Sequence, residues 1–163
     1  MYWTYLESPI GKLMVSSDET SLTGLWMESH RKIPVLPQAA LNPKLPLFIR
    51  TAEWLQCYFA GTPRPMDLPL NPFGTTFQQH VWKQLLCVPY GKTVTYGKLS
   101  ATLRELGISA SPQAVGGAVG RNPISILIPC HRVIGSDGSL TGYAGGLPVK
   151  QFLLQLENPH FFK

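Results

Sequence analysis

The sequence predicts two units in tandem, a small α/β unit followed by a mainly helical one that contains a helix-turn-helix. Three observations carry this: strand-like runs at hairpin spacing near the start, a proline-dense stretch in the middle, and a series of capped helices after it. At 163 residues the chain has room for one ordinary domain or two small ones. With 44% apolar and only 14% charged residues it can build a core, which excludes an intrinsically disordered chain.

Tyr2–Glu7 and Lys12–Ser17 flank the turn Ser8-Pro9-Ile10-Gly11, and Leu22–Glu28 follows a second polar turn. That is the spacing of an antiparallel meander. From Arg31 to Pro46 the chain is proline-rich and without period, as in a loop. Leu47–Ala60 then sets Phe48, Ala52, Leu55 and Phe59 at steps of three and four and closes at Gly61, the pattern of an amphipathic helix with a glycine cap. Pro63, Pro65, Pro69 and Pro72 are too dense for a helix or a central strand, so the boundary falls there, between units 1–72 and 73–163.

Thr76-Phe77-Gln78-Gln79 has the form of a capping box and opens a helix to about Cys87, with Phe77, Val81, Trp82 and Leu85 available to a core. Val88-Pro89-Tyr90-Gly91 ends it. Thr95 caps a helix over Tyr96–Leu106, stopped by Gly107, while Ser111 and Pro112 open another over Pro112–Arg121 that ends at Asn122-Pro123. Two helices joined by a short turn in a basic region predict a helix-turn-helix. Ala114, Gly116, Gly117, Ala118 and Gly120 leave half of the second helix nearly bare. Glycine costs up to about 1 kcal/mol against alanine in a helix, so the backbone there must come close to something, either another helix or a ligand. Ile124–Ile128 reads as a strand leading into Pro129-Cys130-His131-Arg132-Val133.

Residues 1–89 carry seven Lys/Arg against six Asp/Glu, and residues 90–163 seven against three, so +4 of the net +5 lies in the second part. That asymmetry suits a phosphate-rich partner. No apolar run approaches the roughly 18 residues of a membrane span, and Met-Tyr-Trp-Thr-Tyr lacks the basic, then apolar, form of a leader, so a cytoplasmic protein is expected. Cys57, Cys87 and Cys130 are odd in number and form no CxxC pair, which argues against a disulfide framework and a cysteine-rich zinc site; no metal is expected. Cys57 and Cys87 lie among core-type residues and read as small buried hydrophobes. Cys130 stands beside His131 and Arg132, groups that can lower a thiol pKa and so supply a thiolate nucleophile.

Gly120-Arg121-Asn122-Pro123, then Ile128-Pro129-Cys130-His131-Arg132-Val133-Ile134, then Thr141-Gly142-Tyr143-Ala144-Gly145-Gly146, stand in an order and spacing that resembles the O6-alkylguanine-DNA alkyltransferases, or methylated-DNA–protein-cysteine methyltransferases. The likeness runs from Phe77 to Glu157 and more weakly back to the N-terminal strands, and the compact length resembles the bacterial short form. The resemblance implies a ribonuclease-H-like α/β domain followed by a winged helix-turn-helix domain. The implied activity is direct DNA repair. The alkyl group of O6-alkylguanine, and of O4-alkylthymine, passes irreversibly to Cys130, with no cofactor and one protein molecule consumed per lesion.

By the same resemblance His131 takes the thiol proton through a water, Glu157 orients the imidazole, and Asn122 links the recognition helix to the active-site segment. Tyr96 gives a hydrogen bond to the base ring nitrogen and Lys150 steadies the site electrostatically. Val133 and Cys130 accept from the exocyclic amine through their carbonyls, and Tyr143, Ala144 and Gly145 hold the guanine oxygen. The implied partner is double-stranded DNA entered from the minor groove, its damaged nucleotide flipped out, with Gln113, Ala114, Gly117, Arg121 and Tyr96 as contacts; a monomer is expected. A groove about 6 Å wide gives the small residues of the second helix a reason. Arg121 and Arg132 are candidate phosphate contacts, with a structural role as the alternative for either.

Three features depart from the family pattern: Gln113 stands where many members carry an intercalating arginine, the turn Gly107–Ser111 is longer, and Ser125 replaces a proline found in some relatives. Two other readings compete. An alkyltransferase-like module that binds lesions without repairing them typically has tryptophan in place of Cys130. A cysteine hydrolase using Cys130 and His131 is disfavoured, because neighbours on an extended chain point to opposite sides.

Overall fold

In a computed structural model, which describes residues 1–162, the meander forms as β1 (Tyr2–Leu6), β2 (Leu13–Ser17) and β3 (Leu22–Met27). Tyr2 faces Ser17, Leu6 faces Leu13, and Leu13 faces Met27 across antiparallel ladders. β2 is buried at every position, as a central strand covered on both faces must be. The segment expected to be entirely loop contains a short strand, β4 (Ala40–Leu41), parallel to β1, which completes the order β3-β2-β1-β4. Two residues are too few to show a period, so this pairing left no mark in the sequence.

Helix α1 (Pro46–Phe59) starts on a proline in its first turn and buries Leu47, Phe48, Thr51, Trp54, Leu55 and Tyr58. The buried face is rotated from the expected one: Ala52 and Phe59 are only half-buried, while Trp54 and Tyr58 stack at 5.7 Å. Burial of large aromatic surface decides the orientation, since these rings carry more apolar area than alanine can offer. The proline-dense stretch donates and accepts at one residue of β3, with Leu22 N–H on the Pro69 carbonyl and Asn71 N–H on the Leu22 carbonyl, both at 2.8 Å.

By its contacts this first unit spans Met1–Phe73 and also takes in Pro123–Leu127. Leu25 N–H donates to the Pro123 carbonyl at 2.9 Å and Ser125 N–H to the Leu25 carbonyl at 3.2 Å. The expected strand over Ile124–Ile128 is not there. Ile124 alone bridges to Leu25, after which Leu127 N–H turns back on the Ser125 carbonyl at 2.8 Å, with Ile126 at φ 70°. A γ-turn of this hand is strained for a β-branched residue. The apolar run reflects burial of each side chain rather than strand pairing, and periodicity does not separate the two.

The second unit, residues 74–122 with the chain from 128 onward, holds α2 (Thr76–Leu86), α3 (Tyr96–Glu105), α4 (Pro112–Gly120) and α5 (Leu147–Glu157). Its capping box lies one residue earlier than expected: Thr75 accepts from Gln78 N–H at 3.1 Å and Gln78 accepts from Thr75 N–H at 3.0 Å. Val81, Trp82 and Leu85 form the buried face, with Phe77 half-buried. Thr95 and Ser111 cap α3 and α4 as expected, each accepting at 3.1 Å. Gly107, at φ 82°, closes α3 in the left-handed conformation that glycine adopts most cheaply, and Ile108 N–H caps the Leu103 carbonyl.

Two buried bonds tie α2 to α4, from Trp82 Nε1 to the Ala118 carbonyl at 2.9 Å, and α3 to the turn that enters α4, from Ser100 Oγ to the Ala110 carbonyl at 2.8 Å. β5 (Val94–Thr95) lies parallel to β6 (Val133–Ile134), and Cys130–Arg132 form one turn of 3₁₀ helix immediately before β6. Among the described residues no helix is long and apolar enough to cross a membrane.

Candidate active site

Cys130 is buried, and its turn is entered through a second tight bend in which its own N–H donates to the Ile128 carbonyl at 2.8 Å. Asn122, also buried, donates Nδ2 to that same Ile128 carbonyl at 2.8 Å. The side chain at the end of α4 thus holds the backbone that presents the cysteine. Cys130 and His131 lie in a 3₁₀ turn rather than on extended chain, and at about three residues per turn the side chains of these neighbours still diverge.

The expectation of a lowered thiol pKa is overturned. Burial pushes the Cys130 thiol up, against the opposing effects of an Asn122 hydrogen bond, the Lys150 charge and a Tyr143 hydrogen bond. At rest the sulfur is protonated, and a thiolate forms only when a base removes the proton. Burial also pulls the His131 imidazole down, with Glu157 opposing and Arg132 and Lys150 reinforcing the effect. The neutral ring is therefore the resting form near neutral pH.

His131 is wholly buried, and its Nε2 donates to Glu157 Oε2 at 2.5 Å. Burial would raise the Glu157 pKa, but the hydrogen bonds and charges of His131 and Arg132 outweigh it and bring the carboxyl down to about 2. Gly91 N–H adds a bond to Oε1 at 3.1 Å. A Cβ at Gly91, where φ is 76°, would sit 3.1 Å from the Glu157 carbonyl oxygen, so this close approach requires glycine. For Arg132 the structure favours the structural alternative over a phosphate contact, burying it against Glu157 and the Val88 carbonyl. Sequence reasoning missed Gly91 and Val88 as partners; the turn Val88-Pro89-Tyr90-Gly91 was legible only as a helix stop.

Lys150 is completely buried on α5 and donates Nζ to the carbonyls of Val133 at 2.6 Å, Thr141 at 3.1 Å and Gly142 at 3.5 Å. Burial lowers its ammonium to about 8, with Cys130 pulling the other way. Tyr96 opens α3 and donates its hydroxyl to the same Thr141 carbonyl at 3.1 Å; burial raises its pKa. Thr141, which sequence reasoning passed over, is the acceptor shared by both. Tyr143 is half-buried, Ala144 exposed and Gly145 buried in a turn closed by Gly146 N–H on the Tyr143 carbonyl at 2.9 Å.

On α4, Val115, Ala118 and Val119 face the core, while Gln113, Ala114, Gly117, Gly120 and Arg121 are exposed. A Cβ added at Gly117 or Gly120 would meet nothing within 4 Å, and one at Gly116 would meet the Tyr96 ring at 3.8 Å, an ordinary contact. Packing inside the described chain therefore does not require the glycines at 117 and 120. Cys87 is exposed and Cys57 half-buried, so neither is the buried hydrophobe expected. The described residues contain no cluster of His, Cys, Asp and Glu suited to a metal ion.

Residues 76–159 match the family model of the 6-O-methylguanine DNA methyltransferase DNA binding domain, and residues 1–72 that of its ribonuclease-like domain. The chain is 44% identical over 158 residues to a methylated-DNA–protein-cysteine methyltransferase of Methanosarcina acetivorans, covering 96% of this chain and 98% of that one. The Haemophilus influenzae protein of that name is 41% identical, covering 100% and 96%. Among solved structures, Mycobacterium tuberculosis OGT in complex with DNA superposes with a TM-score of 0.88 at 40% identity, covering 98% and 94%.

Proposed function

Since the chain belongs to the 6-O-methylguanine DNA methyltransferase family, we propose that it repairs DNA directly, moving the alkyl group of O6-alkylguanine onto Cys130 once per molecule. The observation that carries the assignment is the buried Cys130 followed by the wholly buried His131 held on Glu157. We read the first unit as ribonuclease-H-like, the second as a winged helix-turn-helix, and the protein as a cytoplasmic monomer.

Because Nε2 donates to Glu157, a neutral His131 carries its lone pair on Nδ1, which accepts the Cys130 proton through a water. The thiolate attacks the alkyl carbon, a C–S bond forms as the C–O bond breaks, and the electron pair of that bond passes to guanine. A thioether remains on the protein. Lys150, a cation set among carbonyls, stabilises the thiolate as it forms. Tyr96 leaves the Thr141 carbonyl to donate to the base nitrogen, while Lys150 keeps that carbonyl occupied. Val133 retains a second lone pair for the exocyclic amine, and the Tyr143-Ala144-Gly145 turn receives the guanine oxygen.

The exposed α4 face enters the minor groove, with Gln113 filling the gap left by the flipped base and Arg121 on the backbone. Gly117→Leu tests this. The variant should melt at or slightly above the wild-type temperature, because the site is open and leucine is the better helix former, yet it should bind duplex DNA at least tenfold more weakly. Unchanged affinity would remove α4 from the interface.

The transfer itself is tested by mass spectrometry after exposure to a duplex oligonucleotide containing one O6-methylguanine. The protein should gain the mass of one CH2 on the peptide carrying Cys130, in proportion to the lesions removed. Tight lesion binding without an adduct would make it a binding module instead.

A further inference from the structure

The guanidinium of Arg132 joins the 3₁₀ turn to the end of α5. Nε donates to Glu157 Oε1 at 2.7 Å, Nη2 to Oε2 at 3.2 Å, and Nη1 to the Val88 carbonyl at 2.6 Å. A planar fork on both oxygens of a carboxylate fixes its plane as well as its position. Oε1 also accepts from Gly91 N–H at 3.1 Å, so Oε2 is the oxygen shared between Arg132 and the His131 ring. The Tyr90 ring lies 5.9 Å from the guanidinium and covers it.

We propose that Arg132 is a positioning residue for the transfer reaction, fixing the plane of the carboxylate that holds the His131 ring and, through its charge, keeping that ring neutral between encounters with substrate. The proposal rests on the relay reading of Cys130, His131 and Glu157 given above. A protonated His131 cannot accept from the thiol, and a buried imidazole facing a carboxylate alone would hold a proton more readily than one whose carboxylate is already paired. The charged and titratable groups acting on His131 are Glu157 and Lys150 from α5 and Arg132 from its own turn; Tyr90, between α2 and β5, is linked electrostatically to Glu157 and Arg132. Of the two cations, Lys150 is the one whose charge weakens near pH 8, whereas a guanidinium stays charged throughout. Arginine supplies both the fork and a charge that does not titrate.

The test is the pH–rate profile of single-turnover methyl transfer from an O6-methylguanine duplex, for wild type, Arg132→Gln and Arg132→Lys. Glutamine removes both the charge and the fork, so the acid limb should move up by about one pH unit on top of the pH-independent loss that lysine shares, with transfer near pH 7 slowed about tenfold in all and recovering at higher pH only to the level of the lysine variant. Lysine keeps the charge and loses the fork, so the limb should stay in place while transfer slows several-fold at every pH. Slowing of the glutamine variant by one factor at all pH values, with the limb unmoved, would reduce Arg132 to a merely structural residue. Wild-type rates in the lysine variant would overturn the positioning role, and this decides alone if the glutamine variant does not fold. A wild-type profile without any acid limb would overturn the relay itself, whatever Arg132 does.

Discussion

Cys130→Ala abolishes methyl transfer and leaves binding to unmodified duplex DNA nearly unchanged. Removing the sulfur takes away the only atom in the proposed reaction that bonds to the alkyl carbon, and nothing else in the buried site substitutes: His131 is engaged with Glu157, and Lys150 donates to three carbonyls. Cys130→Ser should be equally inactive, because a hydroxyl is a poorer nucleophile at saturated carbon and is far harder to deprotonate. Binding survives because the residues proposed to meet DNA, Gln113, Ala114, Gly117 and Arg121, are exposed on α4, and the sulfur is buried. Rapid-quench transfer assays and duplex titrations with the same preparations check this. Residual transfer above the uncatalysed rate would remove Cys130 as the acceptor, and a parallel loss of duplex affinity would mean that the buried thiol supports the DNA-binding face.

Glu157→Gln should slow transfer by at least 100-fold and also destabilise the fold. Glutamine keeps the shape but presents no charge to His131 or Arg132, and breaking a buried ionic set by removing one partner typically costs about 3–5 kcal/mol. The pH dependence separates this from a general packing defect. The folded carboxyl is held at about 2, below its ordinary value of 4.5, so its stabilising contribution is complete above pH 4.5 and disappears as the pH falls toward 2. By that shift it amounts to roughly 3 kcal/mol at neutral pH. The gap in unfolding free energy between wild type and variant should therefore be full at pH 6 and shrink steadily below pH 4.5. A gap that is the same at pH 6 and pH 3 would show that the loss comes from packing, and a wild-type transfer rate would exclude Glu157 from the relay.

Local signals were the most legible part of this chain. Thr95 with Lys98 and Ser111 with Ala114 are caps formed within four residues, and the polar turns of the meander act over similar distances. The two capped helices α3 and α4 and the bare face of α4 could be read for that reason. Where two local solutions differ by one residue, as with Thr75 and Thr76, the sequence pattern did not discriminate, and the bonds to Gln78 did. The face of α1 was misjudged because spacing weighs every apolar residue alike, while burial favours Trp54 and Tyr58 over Ala52.

The sequence alone groups Cys130, His131 and Asn122 as candidates for one site, because they lie within ten positions of one another in a single motif. It also determined that α4 leaves room for a close neighbour. The fold was needed to show that the thiol is pushed up rather than down, that Arg132 turns inward to Glu157, and that the chain bends after Ile124 instead of continuing as a paired strand. The physical reason is common to all three. Desolvation, the partner of a long charged side chain and the pairing of an apolar run depend on what surrounds a residue from distant parts of the chain, such as Glu157 at a separation of 25 positions from Arg132, and no local pattern encodes that neighbourhood.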